Sequence, residues 1–422
     1  MSTGETRPED GGDARLAAES VARRSYGKLV AFLSARSRDV AGAEDALSEA
    51  FAAALVEWPR HGAPDNPEAW LMAVAKRRRI DAMRRHASAQ AAAPQLEMIA
   101  QELEAAAASA QEIPDDRLRL MFACAHPAID EAIRAPLMLQ TILGFDAAAI
   151  ASAFLVSPTA MGQRLSRAKT RIRQAGIPFR LPERHELGGR LDAVLAAIYA
   201  TFAEGWSDPA GTDARRRNLA GEGIWLGRLA ASLLPDAPEA LGLLALMLLH
   251  DSRRATRVGT DGALVPLEEQ DRSRWDLAAI AEGRCLLDAA LAMRRRGPYQ
   301  VQAAIAALHA GAATAADTDW PQIAALYGGL MHEQPGAVVE LNAAVAVAMA
   351  EGPARGLELL ARIGGSAELA GYHLLPAARA DLLRRLGRHA DAAIAYGAAL
   401  TLVKNRAERL YLERRLAACL GP

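Results

Sequence analysis

The sequence predicts an all-α protein of two or three domains, on three observations. The composition is 51% hydrophobic but only 5% aromatic, with Ala and Leu dominant, so helix formers abound and strand formers are few. Apolar residues recur at helical spacing along most of the chain. At 422 residues it is also too long for one ordinary core.

The opening "MSTGETRPEDGGDAR" is polar and acidic, without the apolar core of a signal peptide. Helical periodicity starts near Asp13. "ARLAAESVARRSYGKLVAFLSARS" and "VAGAEDALSEAFAAALVEWPR" read as two amphipathic helices, and "HGAPDNP" breaks the pattern. Pro67 suits the first turn of the next helix, "AWLMAVAKRRRIDAMRRH". Trp70, Leu71 and Val74 mark one face of it. Lys76, Arg77, Arg78 and Arg79 are consecutive, so at 100° per residue they wrap the circumference. No packed surface buries all four, and this end is expected to meet water or an anion. A solvated helix end, favoured by the macrodipole, and a nucleic-acid surface both fit the composition.

Residues 88–113, low in complexity and rich in Ala, Gln and Glu, read as a linker between domains at 13–87 and 114–180. In the second domain "GFDAAAIASAFLVSPTAMGQRLSRAKTRIRQ" reads as helix, turn, helix. Ser157 is a good N-cap and Pro158 fits the first helical position. Met161, Leu165, Ala168 and Ile172 form a narrow apolar stripe. Thr159, Gln163, Ser166, Arg167 and Thr170 collect opposite, flanked by Arg164, Lys169, Arg171 and Arg173. No acid lies between Ser157 and Phe179, whereas a solvated helix normally interleaves Glu or Asp. Small polar groups backed by arginines suit base edges and phosphates in a major groove.

These segments, in this order, resemble an extracytoplasmic-function (ECF) sigma factor of bacterial RNA polymerase. "AGAEDALSEAFAAALVEWP" resembles the polymerase-docking helix of sigma region 2, and "NPEAWLMAVAKRRRIDAMRR" its promoter −10 reading helix. "GFDAAAIASAFLVSPTAMGQRLSRAKTRIR" resembles the region 4 helix-turn-helix that reads the −35 element. "GLLALMLLHDSRR", "LEEQDRSRWD", "GPYQVQAAIAALHA" and "YHLLPAARADLLRRLGRHADAAIAYGAAL" resemble the long tetratricopeptide-like C-terminal extension of one ECF subgroup. The resemblance implies that Asp45, Ser48 and Glu49 face the clamp helices of the polymerase largest subunit. It implies that Trp70, Lys76, Arg77 and Arg78 hold the melted −10 strand, an aromatic plus cations being what an unstacked strand needs. Thr159, Gln163, Arg164 and Arg167 would contact the −35 duplex. Arg77 replaces a frequent Asn of the family, and Gly162 a frequent Lys.

The region 187–422 is expected to be helical and tetratricopeptide-like. Gly352 and Gly387 occupy similar places thirty-five positions apart, near that repeat length. Such helix pairs stack and leave a concave surface, here for a protein regulator or an intramolecular contact. His250–Asp251 with Arg253 and Arg254, the charged "EEQDRSRWD" and the loop-like "AEGW" suggest sites, but an internal salt-bridge network or a capped loop is the reading preferred for each. No metal-ligand spacing and no Gly-rich phosphate loop appears, so no cofactor and no enzymatic activity are expected. Cys124, Cys285 and Cys419 are too scattered for a disulfide framework, which suits a reducing cytoplasm. The longest apolar run, Leu241–His250, is too short to span a bilayer.

The expected function is therefore a sigma factor binding core RNA polymerase and promoter DNA, with a regulatory C-terminal half. A stand-alone helix-turn-helix regulator with a tetratricopeptide-like sensor domain is the alternative. The net charge of −1 permits the C-terminal half to offset the basic helices.

Overall fold

A computed structural model describes residues 21, 25–86, 115–154, 156–183, 185–206 and 219–421. Every extended element among them is a helix, and β-pairing is limited to an isolated bridge between Val258 and Leu264. The chain divides into two compact units, Met1–Thr201 and Phe202–Pro422. The expected linker at 88–113 lies outside the described residues.

In the first unit helix α1 (residues 25–37) is followed by α2 (Val40–His61) and α3 (Pro67–His86). Asp39 starts α2 by accepting a hydrogen bond from the Gly42 amide at 3.2 Å, satisfying one of the orphan donors of a helix start. The buried side of α2 is Val40, Ala43, Leu47, Ala50, Ala54 and Trp58, spaced by three and four, and it packs on α3. Leu71, Met72 and Ala75 of α3 complete this core with Leu29, Val30, Phe32 and Leu33 of α1. The inward residues of α3 thus differ from the expected Trp70–Val74 face by one position, and Trp70 and Val74 are half-buried at its margin.

Helices α4 (Arg117–Cys124), α5 (Glu131–Leu143), α6 (Ala147–Ala153) and α7 (Pro158–Gln174) follow. Gly144 ends α5 in the left-handed region (φ 75°), returning its amide to Gln140. A Cβ on Gly27 of α1 would lie 2.2 Å from the Ile142 carbonyl oxygen, so α1 and α5 approach as closely as only glycine permits. Helix α8 (Leu187–Trp206) runs across the boundary of the two units. Its Arg190 donates to the Phe122 carbonyl of α4. The "AEGW" segment, expected as a loop, is the last turn of α8.

The second unit contains α9 (Leu219–Leu233), α10 (Pro238–Asp251), α11 (Leu277–Ala292), α12 (Pro298–Gly311), α13 (Trp320–Glu333), α14 (Ala337–Glu351), α15 (Pro353–Ile363), α16 (Leu374–Arg385), α17 (His389–Leu402) and α18 (Arg406–Leu420). The expected run in α10 is buried all round, from Ala240 to Leu249, against α9, α11 and α12. The Glu239 carboxylate caps α12, accepting from the amides of Tyr299 (3.0 Å) and Gln300 (3.1 Å). Later helices pack with their sequence neighbours, α14 on α15 and α17 on α16 and α18. Gly352 and Gly387 both take positive φ (109° and 74°) at the turns between helices. The "EEQDRSRWD" segment is an internal network, as expected. Glu268 pairs with Arg385, Glu269 with Arg415, and the Trp275 indole donates to Thr256 Oγ1 at 3.0 Å.

Candidate nucleic-acid interface

Asp45, Ser48 and Glu49 lie one helical turn apart on α2 and all three are exposed, while the neighbouring Ala46, Leu47 and Ala50 point into the core. They form a short polar stripe on the exposed side of α2.

The four consecutive cations of α3 divide in pairs. Arg77 and Arg78 are exposed. Lys76 is buried at 7% exposure, and Arg79 turns inward to reach the Leu33 carbonyl at 3.5 Å. Burial holds the Arg79 guanidinium below its ordinary range. The expectation that this end projects as a whole is corrected for these two residues, Lys76 and Arg79. Positions three apart share a face, so 76 and 79 follow Met72 and Ala75 into the core while their aliphatic stems pack. Trp70 is half-buried, edge-on to Trp58 with ring centroids 5.5 Å apart. Arg78 also lies 3.5 Å from Glu49, and both side chains are about half exposed, so this pair contributes little to stability.

Helices α6 and α7 pack on each other across a short connection. Asp146 caps α6 through the Ala149 amide at 2.7 Å, and Ser157 caps α7 through the Ala160 amide at 3.2 Å. Met161, Leu165, Ala168 and Ile172 are all buried. Thr159, Gln163, Arg164 and Arg167 are all exposed, with Arg167 3.5 Å from the Gln163 side-chain oxygen. A cationic, acid-free face is thus presented opposite the core stripe.

One contact was missed by sequence reasoning. Lys169 of α7 donates to Glu44 of α2 at 2.6 Å, with the two side chains 15% and 8% exposed. Burial raises the Glu44 carboxyl above its ordinary value, with Lys169 pulling it back. Burial and the nearby Glu44 and Asp45 likewise push the Tyr26 phenol up. A signal for Glu44 existed in the sequence: a carboxylate standing on the apolar stripe of α2, between Ala43 and Leu47, calls for a cationic partner. The two helices border a recess of about 250 Å³ lined by Asp39, Asp45, Gln140, Gly162, Ser166 and Lys169, among others. The polar stripe of α2 and the cationic helix α7 therefore share one side of this unit.

Comparison with known proteins fits this geometry. Residues 21–89 match sigma-70 region 2, and residues 190–291 match a family of unknown function, DUF6596. Over 412 residues the chain is 40% identical to uncharacterized protein R00370 of Rhizobium meliloti (strain 1021), covering 96% of each chain. No solved structure matches. The chain belongs to one family with that rhizobial protein, and the match of its α1–α3 region to sigma-70 region 2 supports a sigma-factor role in transcription initiation.

Proposed function

We propose that the protein is an ECF-type sigma factor that brings core RNA polymerase to a small set of promoters. Asp45, Ser48 and Glu49 are the docking stripe for the clamp helices of the largest subunit. Trp70, Arg77 and Arg78 face the −10 strand. Helix α7 reads the −35 duplex through Thr159, Gln163, Arg164 and Arg167, and phosphate contacts make its affinity salt-dependent. The C-terminal unit regulates this activity or receives a protein partner. The chain supplies recognition, and the polymerase performs the chemistry.

The observation that carries the reading is the match of residues 21–89 to sigma-70 region 2, together with an exposed acidic, hydroxyl-bearing stripe on α2 and two exposed arginines on α3. Purified protein mixed with bacterial core polymerase should co-elute on size-exclusion chromatography. Charge reversal by Asp45→Arg with Glu49→Arg should abolish co-elution while leaving the fold intact, because both side chains are exposed. A complex formed only after removal of the C-terminal unit would point to autoinhibition, and absence of a complex with either chain would favour a stand-alone DNA-binding regulator instead.

A further inference from the structure

We propose that Trp206, His250, Arg253 and Arg257 of the second unit form a binding site for a small oxyanion, a phosphoryl or dicarboxylate group. The site stands apart from polymerase binding and is tested without it.

The residues converge from three places: the end of α8, the last turn of α10, and the turn that follows it. The Arg257 guanidinium lies 3.8 Å from the Trp206 ring centroid and donates to the Trp206 carbonyl. The Arg253 guanidinium lies 5.2 Å from the same centroid, and its Nη2 is 3.2 Å from His250 Nδ1. The His250 ring is itself 5.7 Å from the Trp206 ring. One indole thus gathers two guanidinium groups and an imidazole.

What the described residues do not give them is a directly paired acid, although the charge of Glu408 reaches Arg257 and raises it. The neighbouring Asp251 is taken by Arg254, and the Glu408 carboxylate lies 3.1 Å from His373 Nε2, outside ion-pair distance of Arg257. Among the described residues no carboxylate comes within ion-pair distance of Arg253 or Arg257. The sequence-based reading of this segment as an internal salt-bridge network therefore holds for Asp251 and Arg254, and fails for these two.

Each guanidinium carries five N–H donors. The described residues supply one side-chain acceptor to Arg253 and one carbonyl to Arg257, which leaves most of both forks unused among them. Neither arginine has a nitrogen that is both sealed from solvent and without a partner. The imidazole adds to them. An arginine can only donate, so His250 Nδ1 accepts from Arg253 and the proton of the neutral ring sits on Nε2. Burial and the adjacent arginines hold His250 well below its ordinary value, which keeps the ring neutral.

Half-buried like charges held side by side destabilise a fold unless something offsets them. Burial lowers Arg253 to about 10, and burial with Arg253 beside it lowers Arg257 to about 9. An oxyanion with two negative charges cancels both. The planar forks match the oxygen spacing of phosphate and carboxylate in a bidentate way that an ammonium cannot. Cation–π contact with Trp206 fixes the forks beforehand, so less ordering is needed on binding.

The test uses the full-length chain. Sodium phosphate and sodium succinate are titrated by calorimetry at pH 7.5 against sodium chloride of matched ionic strength. Saturable binding of phosphate or succinate is expected, and the tighter of the two identifies the source as phosphoryl or dicarboxylate. Arg253→Gln and Arg257→Gln should each weaken binding at least tenfold, and each should melt no lower than the parent when no anion is present. Arg257→Lys keeps the charge and loses the fork, so it should fold and still bind several-fold more weakly. Flat titrations of the parent with both anions would overturn the proposal. So would binding unchanged in all three variants, since a general salt effect on stability does not depend on these side chains.

Discussion

Glu44 and Lys169 put the strongest electrostatic demand on the first unit, because their pairing takes both charges largely out of water. Lys169 opposes the upward push of burial and of Asp45 on the Glu44 carboxyl. Without it the native chain would hold a proton that the unfolded chain releases. Stability would then fall as pH rises from the ordinary carboxylate range toward the raised native value. Lys169→Met should therefore cost about 3–5 kcal/mol at neutral pH and clearly less at pH 5, measured by urea unfolding. Equal losses at both pH values would contradict the coupling. The arginines of α3 make a different prediction. Replacing exposed Arg77 or Arg78 by Ala should lower the slope of log affinity against log salt, for promoter DNA, by about 1 each. Buried Lys76→Ala should lower the melting temperature instead, since its stem packs in the core.

At the scale of elements, α7 depends on its cap and its stripe. Ser157→Ala removes the oxygen that accepts from the Ala160 amide and should cost about 1 kcal/mol, read as a lower unfolding midpoint. Gly387→Ala should cost about 1–2 kcal/mol, because φ is 74° there and the space around it is open, so strain acts alone. These elements were legible in the sequence for the same reason that they are stable. Ser157–Pro158 is a local start signal, and Met161, Leu165, Ala168 and Ile172 repeat at one period. The all-round apolar α10 was equally plain. What sequence periodicity does not carry is the partner of a charge. Lys76 and Arg79 share a face with Met72 and Ala75, so their inward turn could be read only after that face was placed one position off Trp70. Glu44 and Lys169 are separated by most of the first unit in sequence, and their meeting depends on α7 lying against α2. The four residues of "AEGW" looked like a loop because Gly is a poor helix former, yet Gly205 is packed so closely that a Cβ would lie 2.2 Å from the Ala220 amide nitrogen.

The whole molecule poses the question of what the second unit does to the first. Net charge does not answer it, since basic and acidic residues already balance within residues 1–201, so the C-terminal half is not needed to neutralise α3 and α7. Truncation answers it if the cut respects α8. The start of that helix belongs to the first unit. Arg190 bonds the Phe122 carbonyl, and Leu191, Val194, Leu195 and Ile198 are buried. A chain ending at Glu186 loses these side chains, each large core truncation costing about 2–5 kcal/mol, and is expected to melt well below a chain ending at Thr201. Any loss of DNA binding in the shorter chain would then report unfolding. The chain ending at Thr201 keeps the helix segment its own unit packs, so it separates regulation from stability. It should melt cooperatively and differ from the full chain in promoter affinity or in transcription with core polymerase, higher if the second unit restrains the first and lower if it assists. Identical affinity and transcription from the two chains would refute regulation by the C-terminal unit and leave the sigma-factor reading of the first unit in place.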